Sequence, residues 1–87
     1  MGYVVRVKSV AEKASLCDYL RKKGLSQRPT PFRTRGETML SICVFKDHFY
    51  SAHFEDVDFI TEGESMIECT VDFLKRNLQY DRYEKDN

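Results

Sequence analysis

The sequence predicts an α+β domain in which two helices cover one face of a three-stranded mixed or antiparallel sheet, in the order β-α-β-β-α. Three observations predict this. An amphipathic segment with caps at both ends lies near the start, a stretch rich in strand-forming residues spans Met39–Phe54, and a second amphipathic segment spans Ser65–Leu78. The 87 residues are 41% hydrophobic and 13% aromatic, which is enough for one small core.

The first strand and the first helix carry clear local signals. Apolar residues alternate along Tyr3–Lys8, as expected for a strand with one buried face. Ser9 followed three residues later by Glu12 forms a capping box, and Gly24 suits the left-handed position just past a helix end. We therefore predict a helix over Val10–Lys23.

The middle of the chain is predicted to be a long connection followed by a hairpin. The connection, Ser26–Glu37, holds both prolines, Pro29 and Pro31, so it is predicted to be neither helix nor central strand. Met39–Phe54 is predicted to be a β-hairpin that turns at residues 46–48. Both faces of its first strand are apolar, so this strand is expected to be central or covered on both sides.

The C-terminal third is less regular. Glu55–Gly63 fits an extension of the hairpin, a short extra strand or one helical turn. Apolar residues at helical spacing over Ser65–Leu78 predict a second helix. Residues 79–87 are polar and are assigned to a C-terminal tail, so that residues 1–78 form a single domain.

These elements fit a ferredoxin-like layout that lacks, or barely keeps, its last strand. A right-handed crossover through the first helix is expected to make its two flanking strands parallel, with the first strand beside the third. One outer edge of the sheet then stays open. An unpaired strand edge can pair with a strand of a partner protein, or with a second copy of the chain to form a homodimer.

The sequence shows no sign of a secreted or membrane protein. Arg6 interrupts the apolar start where a signal peptide would continue, and no run approaches the roughly 20 apolar residues of a membrane span. The three cysteines, Cys17, Cys43 and Cys69, are odd in number and far apart, which favours buried free thiols over a zinc site. We expect a cytoplasmic protein with no metal and no cofactor.

Charge is segregated along the chain although the net charge is zero. Residues 1–36 contain nine Lys or Arg and two acidic residues, whereas residues 47–74 contain eight acidic residues and no Lys or Arg. In one interpretation the two halves neutralise each other as exposed pairs, each contributing little to stability. In the other, one or both form binding surfaces that steer a charged partner.

The second interpretation predicts two surfaces. One is an acidic patch that contacts a protein partner, and its predicted residues are Asp56, Asp58, Glu62, Glu64 and Glu68. The other is a basic surface that follows a nucleic-acid backbone, with an aromatic residue among the cations. Its predicted residues are Arg21, Lys22, Lys23, Arg28, Phe32, Arg33 and Arg35.

Catalysis has little support in the sequence. It contains no serine elbow, phosphate-binding loop or metal-ligand spacing, and His48 and His53 are expected on opposite faces of the hairpin. We therefore predict a small non-enzymatic regulatory protein that binds another protein through its charged patches and an open strand edge. It would be an inhibitor or adaptor, of the kind with which viral accessory proteins block host factors. The alternative is an RNA- or DNA-binding module that uses the loop Arg28–Arg35.

Overall fold

The computed structural model describes residues 2–29 and 39–86, with side chains up to residue 78. The elements in chain order are β1 (Gly2–Arg6), α1 (Val10–Lys22), β2 (Ser26–Gln27), β3 (Ser41–Val44), β4 (His48–Ala52), a 3-10 turn (Phe54–Asp56), α2 (Val57–Ile60), β5 (Met66–Cys69) and α3 (Val71–Asp86). Together the strands form one mixed sheet in the order β2-β4-β3-β1-β5. The prediction of an α+β domain is confirmed, but the prediction of three strands is wrong because the sheet has five.

The two additional strands change the topology. β3 lies between β1 and β4 and is antiparallel to both, whereas β1–β5 and β2–β4 are parallel pairs. β1 and β2 therefore point the same way, and the crossover through α1 passes over the positions of β3 and β4. The expectation that the first strand and the first hairpin strand run parallel was wrong, because β1 and β3 are antiparallel and the strand that follows α1 is β2, only two residues long. The expectation that the first strand lies beside the third is also wrong, since β1 pairs with the first strand of the hairpin.

Helix α1 forms largely as its local signals predict. The N–H of Glu12 donates to Ser9 Oγ at 3.1 Å, which satisfies one of the unpaired amides at the helix start. At the other end Gly24 has φ +92°, and the N–H of Leu25 donates to the carbonyl of Leu20 at 3.1 Å. This is a Schellman ending, which only a residue tolerant of positive φ closes without strain.

Helices α1 and α3 pack on the same face of the sheet. Leu16 and Leu20 of α1 and Leu74 of α3 are at most 1% exposed, and they share one cluster with side chains from β1, β3 and β4. The members of this core are Val5, Val7, Leu16, Cys17, Leu20, Leu25, Ile42, Val44, Phe49, Leu74 and Leu78. Val5 of β1 and Val7 just beyond it lie in this core, but Val4 on the opposite face is also buried, so the prediction that this strand buries only one face is wrong.

The second face of the sheet is also partly buried. Val4, Cys43 and Ala52 alternate in their strands with core residues and are nevertheless almost inaccessible. The 3-10 turn and α2 lie against this face, where α2 contacts β3. The apolar second face of the hairpin, which the sequence left open between burial and binding, is thus buried in its centre.

The predicted second helix begins later than expected. Met66–Cys69 forms β5, and the helix starts at Val71, where Thr70 Oγ1 accepts a hydrogen bond from the N–H of Phe73 at 3.1 Å. The prediction of a helix over Ser65–Leu78 was therefore wrong for its first six residues, 65–70. Backbone pairing with β1 is a long-range contact, and it overrides the local periodicity. Helix α3 continues to Asp86, through most of the predicted tail; the division into a domain and a tail stays a prediction.

Candidate functional site

The first part of the candidate site is the outer side of β5, which ends the sheet. The N–H of Gly2 donates to the carbonyl of Ser65 at 2.9 Å. Because successive residues of a strand direct their backbone groups to alternate sides, the N–H and C=O of Met66 and Glu68 point away from β1. Within residues 2–29 and 39–86, β5 pairs with β1 alone. We call this outward side of Met66–Cys69 the β5 edge.

Apolar side chains are exposed beside the β5 edge. Ile67 is 38% exposed, and Phe73 of α3 is 42% exposed. Tyr3 links the two, since it lies opposite Ile67 in the parallel register and packs edge-on against Phe73 with ring centroids 6.5 Å apart. Large apolar groups exposed beside an unpaired strand are typical of a contact surface. This exposure could not be predicted from the sequence, because Ile67 and Phe73 both fall on the apolar stripe that predicted a buried helix face.

A groove of about 490 Å3 runs between α2 and the second face of β1 and β5. We call it the acidic groove, because three carboxylates line it and Arg6 is the one cation in its lining among the described residues. Its lining residues are Val4, Arg6, Phe54, Glu55, Val57, Asp58, Thr61, Met66 and Glu68. The side chain of Arg6 lies 3.5 Å from that of Glu68, but both side chains are about two-thirds exposed. This ion pair therefore contributes little to stability.

The structure brings together part of the predicted acidic patch. Asp58 and Glu68 line the acidic groove, although ten residues separate them in sequence. Glu62 and Glu64 are exposed on the connection from α2 to β5, and Asp56 is half-buried in the 3-10 turn. The patch therefore lies along one side of the molecule, between α2 and the β5 edge. The lining also includes Glu55, another carboxylate of the acidic segment 47–74.

The predicted basic surface divides in the structure. Arg21 lies in the last turn of α1 and Arg28 follows β2, whereas Phe32, Arg33 and Arg35 lie outside the described residues. The two remaining cations are engaged with side chains of their own helix. Lys22 Nζ lies 3.1 Å from Asp18 Oδ2, and Lys23 Nζ lies 5.6 Å from the centre of the Tyr19 ring.

Arg21 and Arg28 line a second groove, of about 640 Å3, between α1 and the β2–β4 side of the sheet. We call it the basic groove, because its described lining contains three cations and no acidic residue. The lining residues are Lys13, Ala14, Cys17, Arg21, Gln27, Arg28, Pro29, Met39 and Ser51. Lys13 was missed by the sequence analysis. Its spacing from Cys17 and Arg21, four and eight residues, is the signal that places these residues on one helix face.

A third groove, of about 820 Å3, lies between α1 and α3 at the ends of β1 and β5. Its charges are balanced. Its cations are Arg6, Lys8 and Lys75, and its carboxylates are Glu12, Glu68 and Asp72. Some of these are already engaged, since the N–H of Lys8 donates to Glu12 Oε1 at 2.6 Å. A site with this balance has no preference for the charge of a ligand, so we assign it no role.

The thiols are poorly suited to nucleophilic chemistry. Burial raises the pKa of Cys43 to about 11, and burial also raises the pKa of Cys69. Both thiols are therefore protonated at neutral pH, whereas a nucleophilic cysteine needs the thiolate.

Among the described residues, no three His, Cys, Asp or Glu side chains are placed to hold a metal ion. The described helices also include none that is long and apolar enough to cross a membrane.

Comparison with known proteins adds no relative. Neither a protein-family model, nor a curated protein, nor a solved structure matches this chain.

Proposed function

We propose that this is a small non-enzymatic regulatory protein that binds an extended segment of another protein at the β5 edge. One observation carries the proposal: the outward backbone groups of Met66 and Glu68 lie between exposed apolar side chains and exposed carboxylates. A segment that pairs there becomes a sixth strand of the sheet. In this mode of recognition, main-chain hydrogen bonds supply affinity and alternate side chains supply specificity.

The surroundings of the β5 edge indicate the chemistry of the partner segment. Alternate side chains of an added strand face opposite sides of the sheet. On the side of α2 they meet Glu68 and the acidic groove, which favours Lys or Arg. On the side of α3 they meet Ile67 and Phe73, which favours apolar residues. The preferred segment therefore alternates basic and apolar residues. An inhibitor or adaptor acts by covering such a segment and excluding its other contacts.

The test is selection from a random peptide library, followed by affinity measurements with two variants at one residue. We expect enrichment of alternating basic and apolar residues. Glu68→Ala removes the carboxylate and should weaken binding several-fold, since exposed charge pairs contribute up to about 1 kcal/mol. Glu68→Pro removes the same carboxylate and also the outward N–H, so it should abolish binding. It spares the ladder to β1, because the N–H of Glu68 points away from that strand.

Two results would contradict the proposal. One is enrichment of peptides without any charge preference, and the other is equal affinity of the Glu68→Ala and Glu68→Pro proteins for the selected peptide. Light scattering across a concentration series addresses a second copy of the chain as the occupant. A dimer that Glu68→Pro dissociates would assign the β5 edge to self-association and would overturn its assignment to another protein.

A further inference from the structure

We propose that residues 53–63 form a lid on the second face of the sheet, which opens while the five strands and helices α1 and α3 stay in place. The lid contains the 3-10 turn (Phe54–Asp56) and α2 (Val57–Ile60). It also forms one wall of the acidic groove, through Phe54, Glu55, Val57, Asp58 and Thr61. Opening of the lid therefore removes that wall, and closure rebuilds the groove.

The part of the sheet beneath the lid is closed off from solvent. α2 contacts β3, whose side chains on this face, Ser41 and Cys43, are at most 2% exposed. Val4 and Ala52, which lie on the same face of the neighbouring strands, are also buried. The raised pKa of Cys43 agrees with a thiol that water does not reach, since burial is its cause. Exposure of Cys43 is therefore a direct sign that the lid has opened.

The lid is held less firmly than the sheet beneath it. No residue of the 3-10 turn or of α2 is buried. The backbone hydrogen bonds that join residues 54–62 to other described residues all end within 53–64, such as that from the N–H of Asp56 to the carbonyl of His53 at 2.9 Å. Opening therefore breaks no hydrogen bond of the strand ladders. Segments that bury few apolar side chains open at a lower free energy than the whole fold.

Both ends of the lid have the features of a hinge. At the first end, His53 Nδ1 accepts a hydrogen bond from the N–H of Glu55 at 3.1 Å, which caps the 3-10 turn directly after β4. At the other end, Gly63 has φ +82°, and a Cβ there would meet nothing within 4 Å. Hinges are a few residues at the ends of elements that absorb changes in φ and ψ, which glycine does at low cost. Neither His53 nor Gly63 belongs to the core cluster, so movement about them leaves the core intact.

The lid also links this movement to the β5 edge, a consequence that rests on the proposed function. A basic side chain in the acidic groove meets Glu68 of β5 and Asp58 of the lid together only when the lid is closed. A ligand that prefers one form shifts the equilibrium towards it, so a bound basic segment favours closure. The backbone groups of the β5 edge stay in place when the lid opens, because β5 pairs with β1. Opening therefore weakens binding of the segment without abolishing it.

The experiment measures the rate at which Cys43 reacts with iodoacetamide at increasing urea concentrations. Mass spectrometry of tryptic peptides resolves this thiol, because Lys and Arg residues separate all three cysteines in the sequence. We expect Cys43 to react at least about tenfold faster than global unfolding alone allows. The dependence of its reaction on urea should be less than about half of that of global unfolding, because the slope scales with the surface exposed.

Two glycine variants separate the lid from the rest of the fold. Gly63→Ala places a side chain at positive φ in the closed lid, which should speed the reaction of Cys43 by about five- to thirtyfold. Gly24→Ala is the matched control, since Gly24 has φ +92° at the end of α1 and its Cβ would also meet nothing within 4 Å. It should lower global stability but leave the reaction of Cys43 without urea unchanged.

The lid is overturned if Cys43 reacts only with the full urea dependence of global unfolding, or if the two glycine variants change its rate equally. A peptide selected at the β5 edge should slow the reaction several-fold, and a peptide that binds without slowing it overturns the link to that site. If no peptide binds, the proposed function and this link fail together. The reaction of Cys43 in the free protein still decides whether the lid opens, so the two failures are distinguishable.

Discussion

Met66 of β5 lies opposite Gly2 of β1, and a Cβ at Gly2 would come within 2.9 Å of the Met66 sulfur and 2.5 Å of the Val44 carbonyl oxygen. Both distances are shorter than ordinary van der Waals contacts. The lack of a side chain at Gly2 therefore allows β5 and β3 to approach β1 from opposite sides. It follows that Gly2 supports the position of the β5 edge, which we propose to be the protein-binding surface.

The first prediction is that Gly2→Val destabilises the protein. The added methyl groups collide with a backbone oxygen on one side, which cannot move without breaking the β1–β3 ladder. Overpacking of this kind lowers the free energy of unfolding by about 1–3 kcal/mol. Equilibrium urea unfolding measures the change. Ser65→Ala, at an exposed neighbouring residue, is the control and should have little effect, because Ser65 accepts from Gly2 through its backbone. Unchanged stability of Gly2→Val would show that the clash is relieved by local movement.

The comparison of sequence and structure shows which features are local. Helix α1 was predicted because Ser9, Glu12 and Gly24 act on their own neighbours in the chain. β2 and β5 were missed because each depends on a partner far away in sequence. β2 is a strand only because of β4, and β5 only because of β1. Neither strand is long enough for its alternation to be recognised in the sequence, since β2 contains two residues and β5 contains four.

The candidate surfaces were predicted by charge but not by shape. The acidic residues near β5 were found because their segment contains no basic residue, and the structure then gathers Asp58 and Glu68 in one groove. The exposure of Phe73 was missed because its neighbour Leu74 belongs to the same apolar stripe and is fully buried. Periodicity in the sequence identifies the apolar face of a helix. How much of that face is buried depends on the elements that pack against it.

The second prediction uses these adjacent residues of α3. Leu74→Ala removes a fully buried side chain from the core and should lower the free energy of unfolding by about 2–5 kcal/mol. Phe73→Ala removes a partly exposed ring whose described contact is the edge-on packing with Tyr3, which contributes about 0.5–1.5 kcal/mol. Phe73→Ala should nevertheless reduce the affinity for peptides selected at the β5 edge. If Phe73→Ala costs as much stability as Leu74→Ala, the ring is part of the core and not of the contact surface.

The third prediction concerns the pH dependence of stability. The pKa of Cys43 is raised by burial to about 11 in the folded protein, against about 9 for an exposed thiol. Above pH 9 the unfolded chain loses this proton before the folded protein does, so the free energy of unfolding falls as the pH rises from 9 towards 11. The contribution of one group is at most about 1.4 kcal/mol per pH unit.

Urea unfolding under reducing conditions at several pH values tests this contribution. Cys43→Ala should flatten the decrease relative to the unmodified protein, and the difference in slope is the quantity to compare, since the substitution also changes packing. Below pH 8 the two proteins should show parallel pH dependence. Identical slopes between pH 9 and 11 would mean that folding does not raise the pKa of Cys43.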